Sequence, residues 1–215
     1  MDDRSLRTLI EEELDFDPSV DSTDIGVAVD NSIVTLTGYV KSFAERTAAE
    51  QAVQRVKGVH GIAQELAIRF PNHKHTADDE IAARAFKIIN WDTTIPHGGV
   101  QVKVQKGWVT LSGEVEWGFQ QSAAEDAVRK LSGVVGITNA IMIQPKVAAI
   151  DVRDRIEQAL SRNAVLEVNN IRVEVAGGHV KLWGKVNAWH DRTLAERAAW
   201  AVPGVNEVDD HLTIG

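Results

Sequence analysis

The feature that most constrains this chain is that it repeats itself three times. The string Val34-Thr35-Leu36-Thr37-Gly38 recurs as Val109-Thr110-Leu111-Ser112-Gly113 and again as Val180-Lys181-Leu182-Trp183-Gly184, at offsets of 75 and 71 residues. Gly58-Val59 recurs at the same offsets as Gly133-Val134 and Gly204-Val205. Eleven columns are identical in all three copies, those of Val27, Val29, Val34, Leu36, Gly38, Val40, Ala49, Glu50, Ala52, Gly58 and Val59. A length of 215 residues would ordinarily suggest one or two domains. The register instead divides it into three units, expected at 1–70, 76–144 and 149–215, and any core is divided with it.

Each unit reads α-β-β-α-β. The first helix carries Leu6, Ile10 and Leu14, or Val152, Ile156 and Leu160, at helical spacing. In the second copy Thr76 stands three residues before Asp79, the spacing of a capping box. Alternating strands follow, Ile25-Val27-Val29, Val100-Val102-Val104 and Ile171-Val173-Val175. Turns are expected at Asn31-Ser32, Lys106-Gly107 and Gly177-Gly178, the last two suited to positive φ. Return strands should end at Gly38, Gly113 and Gly184. The second helix should start near Ser42, boxed by Glu45, and bury a stripe of small residues such as Ala49, Ala52 and Val53. Gly58, Gly133 and Gly204 fit a helix C-cap. A last strand carries Leu66 and Ile68 or their equivalents. The expected fold class is α+β: three tandem αββαβ domains, each a three-stranded sheet with two helices packed on one face. The linkers at 71–75 and 145–148 are short.

Composition narrows the function. There are 31 acidic and 23 basic residues, a net charge of −8. Phosphate-neutralising proteins are usually basic, so no nucleic-acid partner is expected. The imbalance is concentrated in residues 1–72, with 13 acidic and 7 basic, while residues 73–147 hold 8 of each. The absence of cysteine excludes disulfides, thiol nucleophiles and cysteine zinc sites. No phosphate loop, dinucleotide fingerprint, zinc-protease motif or repeated nucleophile-base pair occurs, so no enzyme, no cofactor and no metal are expected. His73 and His75 fit a solvated linker better than a metal site. No run of 18 apolar residues occurs. Without a basic n-region and apolar h-region at Met1, the expected location is cytoplasmic, or periplasmic if a leader has been removed.

The V-T-L-x-G strand, the Ala48-Ala49-Glu50 helix and the closing Gly-Val followed by an Asn- or Asp-bearing strand (Gly133 to Asn139, Gly204 to Asp210) resemble the BON domain family, named for bacterial osmotic-stress and nodulation proteins. The resemblance covers nearly the whole chain. It implies a binding module associated with phospholipid surfaces and envelope stress. The shared residues are glycines and core apolars, so the resemblance carries no site.

Candidate sites therefore come from the six tryptophans. Trp200 shares a column with Gln54 and Arg129 and should face away from its own core. Trp183 shares one with Thr37 and Ser112, on the outer face of a sheet. Trp117 and Trp189 lie in the turn before the second helix, near the column of Phe43. Trp91 matches Phe16 and Arg162, after the first helix. Such aromatics either dip into a lipid interface or fill the contacts between domains, and short linkers favour the second use. Glu50, Glu125 and Glu196 recur, and pairing with Arg46 or Arg192 four residues back accounts for two of them. The candidate lipid- or partner-binding residues are Trp117, Trp189, Trp183, Trp200, Phe43, Arg192 and Arg197. The function expected is a non-enzymatic, stress-linked binding protein at a phospholipid surface. The alternatives are a protein-interaction or self-assembly module and, less favoured, a small-ion sensor. Oligomeric state is left open.

Overall fold

A computed structural model describes residues 2–70, 76–144, 152–162 and 171–214. The linkers read at 71–75 and 145–148 lie outside them. The first unit runs α1 (Asp3–Phe16), β1 (Ile25–Asp30), β2 (Ile33–Val40), α2 (Phe43–Arg55) and β3 (Gly61–Ile68). The second runs α3 (Asp78–Trp91), β4 (Val100–Gln105), β5 (Trp108–Val115), α4 (Gly118–Arg129) and β6 (Gly136–Ile143). The third runs α5 (Val152–Ser161), β7 (Ile171–Ala176), β8 (His179–Val186), α6 (Trp189–Trp200) and β9 (Glu207–Ile214). The fold is α+β, in three repeats, as the sequence predicts.

Each unit has its own three-stranded sheet, with the middle strand shared between two kinds of pairing. β2 is antiparallel to β1 and parallel to β3, and the same order holds in the other two units. A parallel neighbour requires a crossover, and α2, α4 and α6 supply it. Alternation places Val34 and Leu36, Val109 and Leu111, and Val180 and Leu182 on the covered face, where all six are fully buried. Leu6, Ile10 and Leu14 of α1 meet them from above, beside Ala49, Ala52 and Val53 of α2. Alanines let that second helix lie close to the sheet.

The glycine expected to end the return strand lies inside it. Gly38, Gly113 and Gly184 have φ of 110°, 125° and 132°, and each strand runs two residues further to buried Val40, Val115 or Val186. A Cβ on Gly113 would stand 2.0 Å from the Gly99 carbonyl oxygen, and one on Gly38 would stand 2.0 Å from that of Asp24. Glycine is required there by closeness as well as by φ. Gly58, Gly133 and Gly204 lie three or four residues past the helix ends rather than at the cap, where their positive φ turns the chain into the last strand.

Both residues of every hairpin turn have positive φ, including Asn31, Ser32 and Lys106. A carboxylate holds each of the two turns that are not Gly-Gly. Asp3 accepts from the N–H groups of Asn31 and Ser32 at 2.8 and 3.0 Å, and Asp78 accepts from those of Lys106 and Gly107 at 2.7 and 2.8 Å. The Thr76–Asp79 capping box does not form. The helix begins at Asp78 after an Ala77 cap without a side-chain bond, and Thr76 stands where a Cβ on Gly133 would meet it at 2.7 Å.

At the second helix Ser42 does accept from the Glu45 N–H. The Glu45 carboxylate, only 8% exposed as a residue, accepts from the Lys41 and Asp21 N–H groups rather than from Ser42. Gln120 and Asp191 fill the same column and accept from the backbone N–H groups of Trp117 and Ala188.

Gly113→Ala must move backbone, and a loss of at least about 3 kcal/mol is expected in urea unfolding. The first unit should also be acid-sensitive. The Lys41 ammonium and the Thr23 hydroxyl hold the Asp21 carboxyl down at about 2, and the Ser19 hydroxyl and Arg55 hold Asp17 below its ordinary value. A carboxyl depressed by folding stabilises fully above its ordinary range, and that contribution is lost as pH falls from about 4 towards 2. Hydrogen exchange at pH 5 and pH 2.5 should show the first unit's strand amides losing protection before the second unit's.

Candidate functional site

The three second helices meet. Phe43, the first residue of α2, packs against the core of the second unit, and the Arg46 guanidinium donates to the Val135 carbonyl oxygen at 3.0 Å. That guanidinium also lies 4.7 Å from the centre of the Phe43 ring. Burial lowers its pKa from the ordinary value. Trp200, the last residue of α6, packs against the cores of both the second and the third units. Its ring lies on the N-terminus of α4, where a Cβ on Gly118 would stand 3.0 Å from Trp200 Cε3. Helices α2 and α6 touch as well, so the first and third units are in contact.

Between these helices lies a cleft of about 530 Å³, with Gln51, Phe119, Asp126, Arg129, Arg197 and Trp200 among its walls. Gln51, Asp126 and Arg197 occupy one column of the repeat. Equivalent positions from all three units thus converge on one opening.

The expected residues divide between junction and surface. Trp200 does not face away from its core but bridges two cores, because the neighbouring unit gives its ring cover. Phe43 is half-buried in the junction, and Trp117 and Trp189 are half-buried at the starts of α4 and α6. Arg192 donates to the Asp210 carboxylate and lies 6.0 Å from the Trp189 ring centre. It does not reach Glu196, as Arg46 does not hydrogen-bond Glu50, because each finds an oxygen beyond its own helix. Arg197 is exposed and has no ion pair among the described residues. Trp183 is on the outer sheet face as expected, 40% exposed, and stacks on His211 with ring centres 4.0 Å apart. His211 in turn lies 3.1 Å from the Asp209 carboxylate.

A second surface was missed by the candidate residues. Trp91 ends α3 and is 79% exposed. With Arg84, Lys87 and Ile88 it lines a shallow depression on that helix. These four stand at i, i+3, i+4 and i+7, a stripe beside the buried Ile81, Ala85 and Ile89. The same positions carry Leu9, Glu12, Glu13 and Phe16 in the first unit, and Arg155, Gln158, Ala159 and Arg162 in the third. The signal for it in the sequence is that spacing, repeated one column-set away from the core stripe. Among the described residues, no group of three or more His, Asp or Glu could hold a metal, and no helix is long and apolar enough to cross a membrane.

The Gly118–Trp200 contact gives a direct test of the junction. Gly118→Phe, the residue of the same column in the first unit, puts a ring where Trp200 lies. It should part the second and third units and raise the radius of gyration in X-ray scattering, while Gly118→Ala, which needs a shift of tenths of an ångström, should change it little.

The chain is 30% identical over 143 residues to Osmotically-inducible protein Y of Escherichia coli strain K12, a stretch covering 65% of this chain and 71% of that protein. Two solved structures of CdsD, a structural protein of the type III secretion system of Chlamydia trachomatis, each align with 14% identity and a TM-score of 0.27. One alignment covers 98% of this chain and 92% of its own, and the other, of the C-terminal domain, covers all of both. The BON domain family model matches residues 2–69, 77–145 and 151–215, almost the whole chain, and with the threefold αββαβ architecture this makes the chain a member of the BON domain family, with three tandem domains.

Proposed function

We propose that this chain is a non-enzymatic binding protein of the osmotic-stress response that attaches peripherally to phospholipid surfaces through the α3 face of its second domain. The observation that carries this reading is the pairing of a largely exposed tryptophan with an exposed isoleucine and two cations on one helical stripe. Tryptophan favours the headgroup boundary, where its ring is buried and its indole N–H stays wet. The second domain is also the one with balanced charge, so anionic lipid repels it least. Arg84 is paired with Glu80, which leaves Lys87 as the unpaired cation of the stripe among the described residues. Attachment then rests on ring insertion more than on charge. The name of the osmotically inducible relative supports the stress link. Phe43, Trp117, Trp189 and Trp200 serve the junction, so in this reading the lipid role passes from them to Trp91.

Co-sedimentation with phosphatidylglycerol vesicles tests the proposal. Wild type should bind with a blue-shifted tryptophan emission, Trp91→Ala should bind roughly tenfold more weakly, and 0.5 M salt should have the smaller effect. Failure of wild type to bind either phosphatidylglycerol or phosphatidylcholine vesicles overturns it.

The uncovered outer sheet faces favour a second reading, a self-assembly module. Ile33 and Tyr39, Trp108 and Met142, and Trp183 all remain exposed there. Light scattering after gel filtration separates the two, since a strict monomer at high concentration excludes self-assembly.

A further inference from the structure

The last strand of each unit lies at a sheet edge, and a bare edge invites another strand. Side chains close it. In each unit one side-chain oxygen, of Gln64, Asn139 or Asp210, accepts from the backbone N–H two residues on, that of Leu66 at 3.2 Å, Ile141 at 3.3 Å or Leu212 at 2.8 Å. The second helix then caps an edge carbonyl in two of the units. Gln121 Nε2 donates to the Ile141 carbonyl oxygen at 2.6 Å, and Arg192 Nη2 donates to that of Asp210 at 3.2 Å. Arg46 holds the same column in the first unit. It leaves its own strand and donates to the Val135 carbonyl oxygen of the second domain at 3.0 Å. Among the described residues, no side chain donates to the carbonyls of Gln64 or Leu66, the equivalents of Asp210 and Ile141. Gln64 Nε2 is buried without a partner, whereas Asn139 Nδ2 in the same column reaches both the Gln121 carbonyl and the Glu125 carboxylate. The bonding of helix to edge is thus incomplete in the first unit, and the residue that would complete it is engaged by the neighbouring domain.

We infer that Arg46 is a two-position latch: it holds the Val135 carbonyl while the first domain is docked, and turns back to the Gln64 or Leu66 carbonyl of its own β3 when that domain is released. Gln121 and Arg192 show the second position in their own units. Each position gives up one charge-assisted bond and gains another, so the two states differ by less than either bond is worth. Phe43 biases the pair. Docked, its ring lies against the second unit's core and 4.7 Å from the guanidinium, and release returns it to water. The third domain has no such choice, since Arg192 already caps its own strand and Trp200 makes the contact with the second domain. The first domain is therefore the one built to undock. Its release parts α2 from α6, bares Phe43 and the Val135 loop, and closes the β3 edge in the same movement. The latch stands apart from vesicle binding, because the α3 stripe shares no residue with it.

The chain has no cysteine, so Glu12→Cys and Lys103→Cys place one spin label on each of the first two domains. Dipolar spectroscopy of the full chain should give one narrow distance with Arg46 and Phe43 in place. Arg46→Gln installs the second unit's own residue, which is shorter than arginine and suited to the β3 edge. It should turn most of the signal into a broad, longer distribution. Phe43→Ser should do the same with Arg46 intact. In unlabelled Phe43→Ser protein, the Val135 carbonyl ¹³C resonance should move upfield and that of Gln64 or Leu66 downfield, as the hydrogen bond passes from one to the other. Adding Arg46→Ala to Phe43→Ser should keep the release and abolish the downfield shift. Retained strand amide signals in the first unit will confirm that each variant is folded. A narrow distance kept by either single variant overturns the inference, and so does release by Phe43→Ser with the Gln64 and Leu66 carbonyl carbons unmoved.

Discussion

Every unit depends on its middle strand. β2, β5 and β8 each carry a completely buried Val-x-Leu, bonded on one side to a hairpin partner and on the other to a strand reached only through a helix. That position dictates much else. The strand has to be covered by two helices on one face, the second helix has to be lined with alanine to come close, and a glycine has to sit where the strand passes a neighbouring carbonyl at 2.0 Å. Most of the columns that stay identical through all three copies are of this kind, and the half-exposed Glu50 column is the exception.

Units of about 70 residues bury only about 60% of their unfolded surface, which leaves each marginal alone. The junction relieves this by giving half-buried aromatics a second core. Phe43 and Trp200 both lend apolar surface to the middle domain, and Gly118 is what lets Trp200 do so. Large and small residues alternate down one column here. Phe43 and Trp189 fill it where Gly118 vacates it, so no two domain contacts are built alike even though the backbones repeat.

The fold was legible because period and repeat are properties of sequence alone. The alternation of Val100, Val102 and Val104 and the spacing of Leu6, Ile10 and Leu14 each had one structural solution. Details that depend on a distant partner were not legible. Thr76 has the spacing of a cap, yet it packs against Gly133, more than 50 residues away in the sequence. Gly38 looks like a strand end until the parallel pairing of Tyr39 and Val40 with Ala67 and Ile68 is known. The candidate site was half legible. The repeat columns sorted Trp183 correctly to the sheet's outer face but could not reveal that a neighbouring domain covers Trp200. The stripe of Arg84, Lys87, Ile88 and Trp91 was readable from spacing alone, although it runs beside the more regular core stripe of Ile81, Ala85 and Ile89.

The convergence of Gln51, Asp126 and Arg197 has a consequence for how such a chain can change over time. Duplication ordinarily multiplies a surface, giving three copies of one weak contact. Here the same column from each copy lines a common cleft, and three positions become three corners of one asymmetric opening. Each corner can then drift on its own, to an amide, an acid and a base, without spoiling a partner that must match it. A homotrimer of single domains could never do this, because symmetry would force one residue on all three corners. Joining the copies in one polypeptide is what releases them.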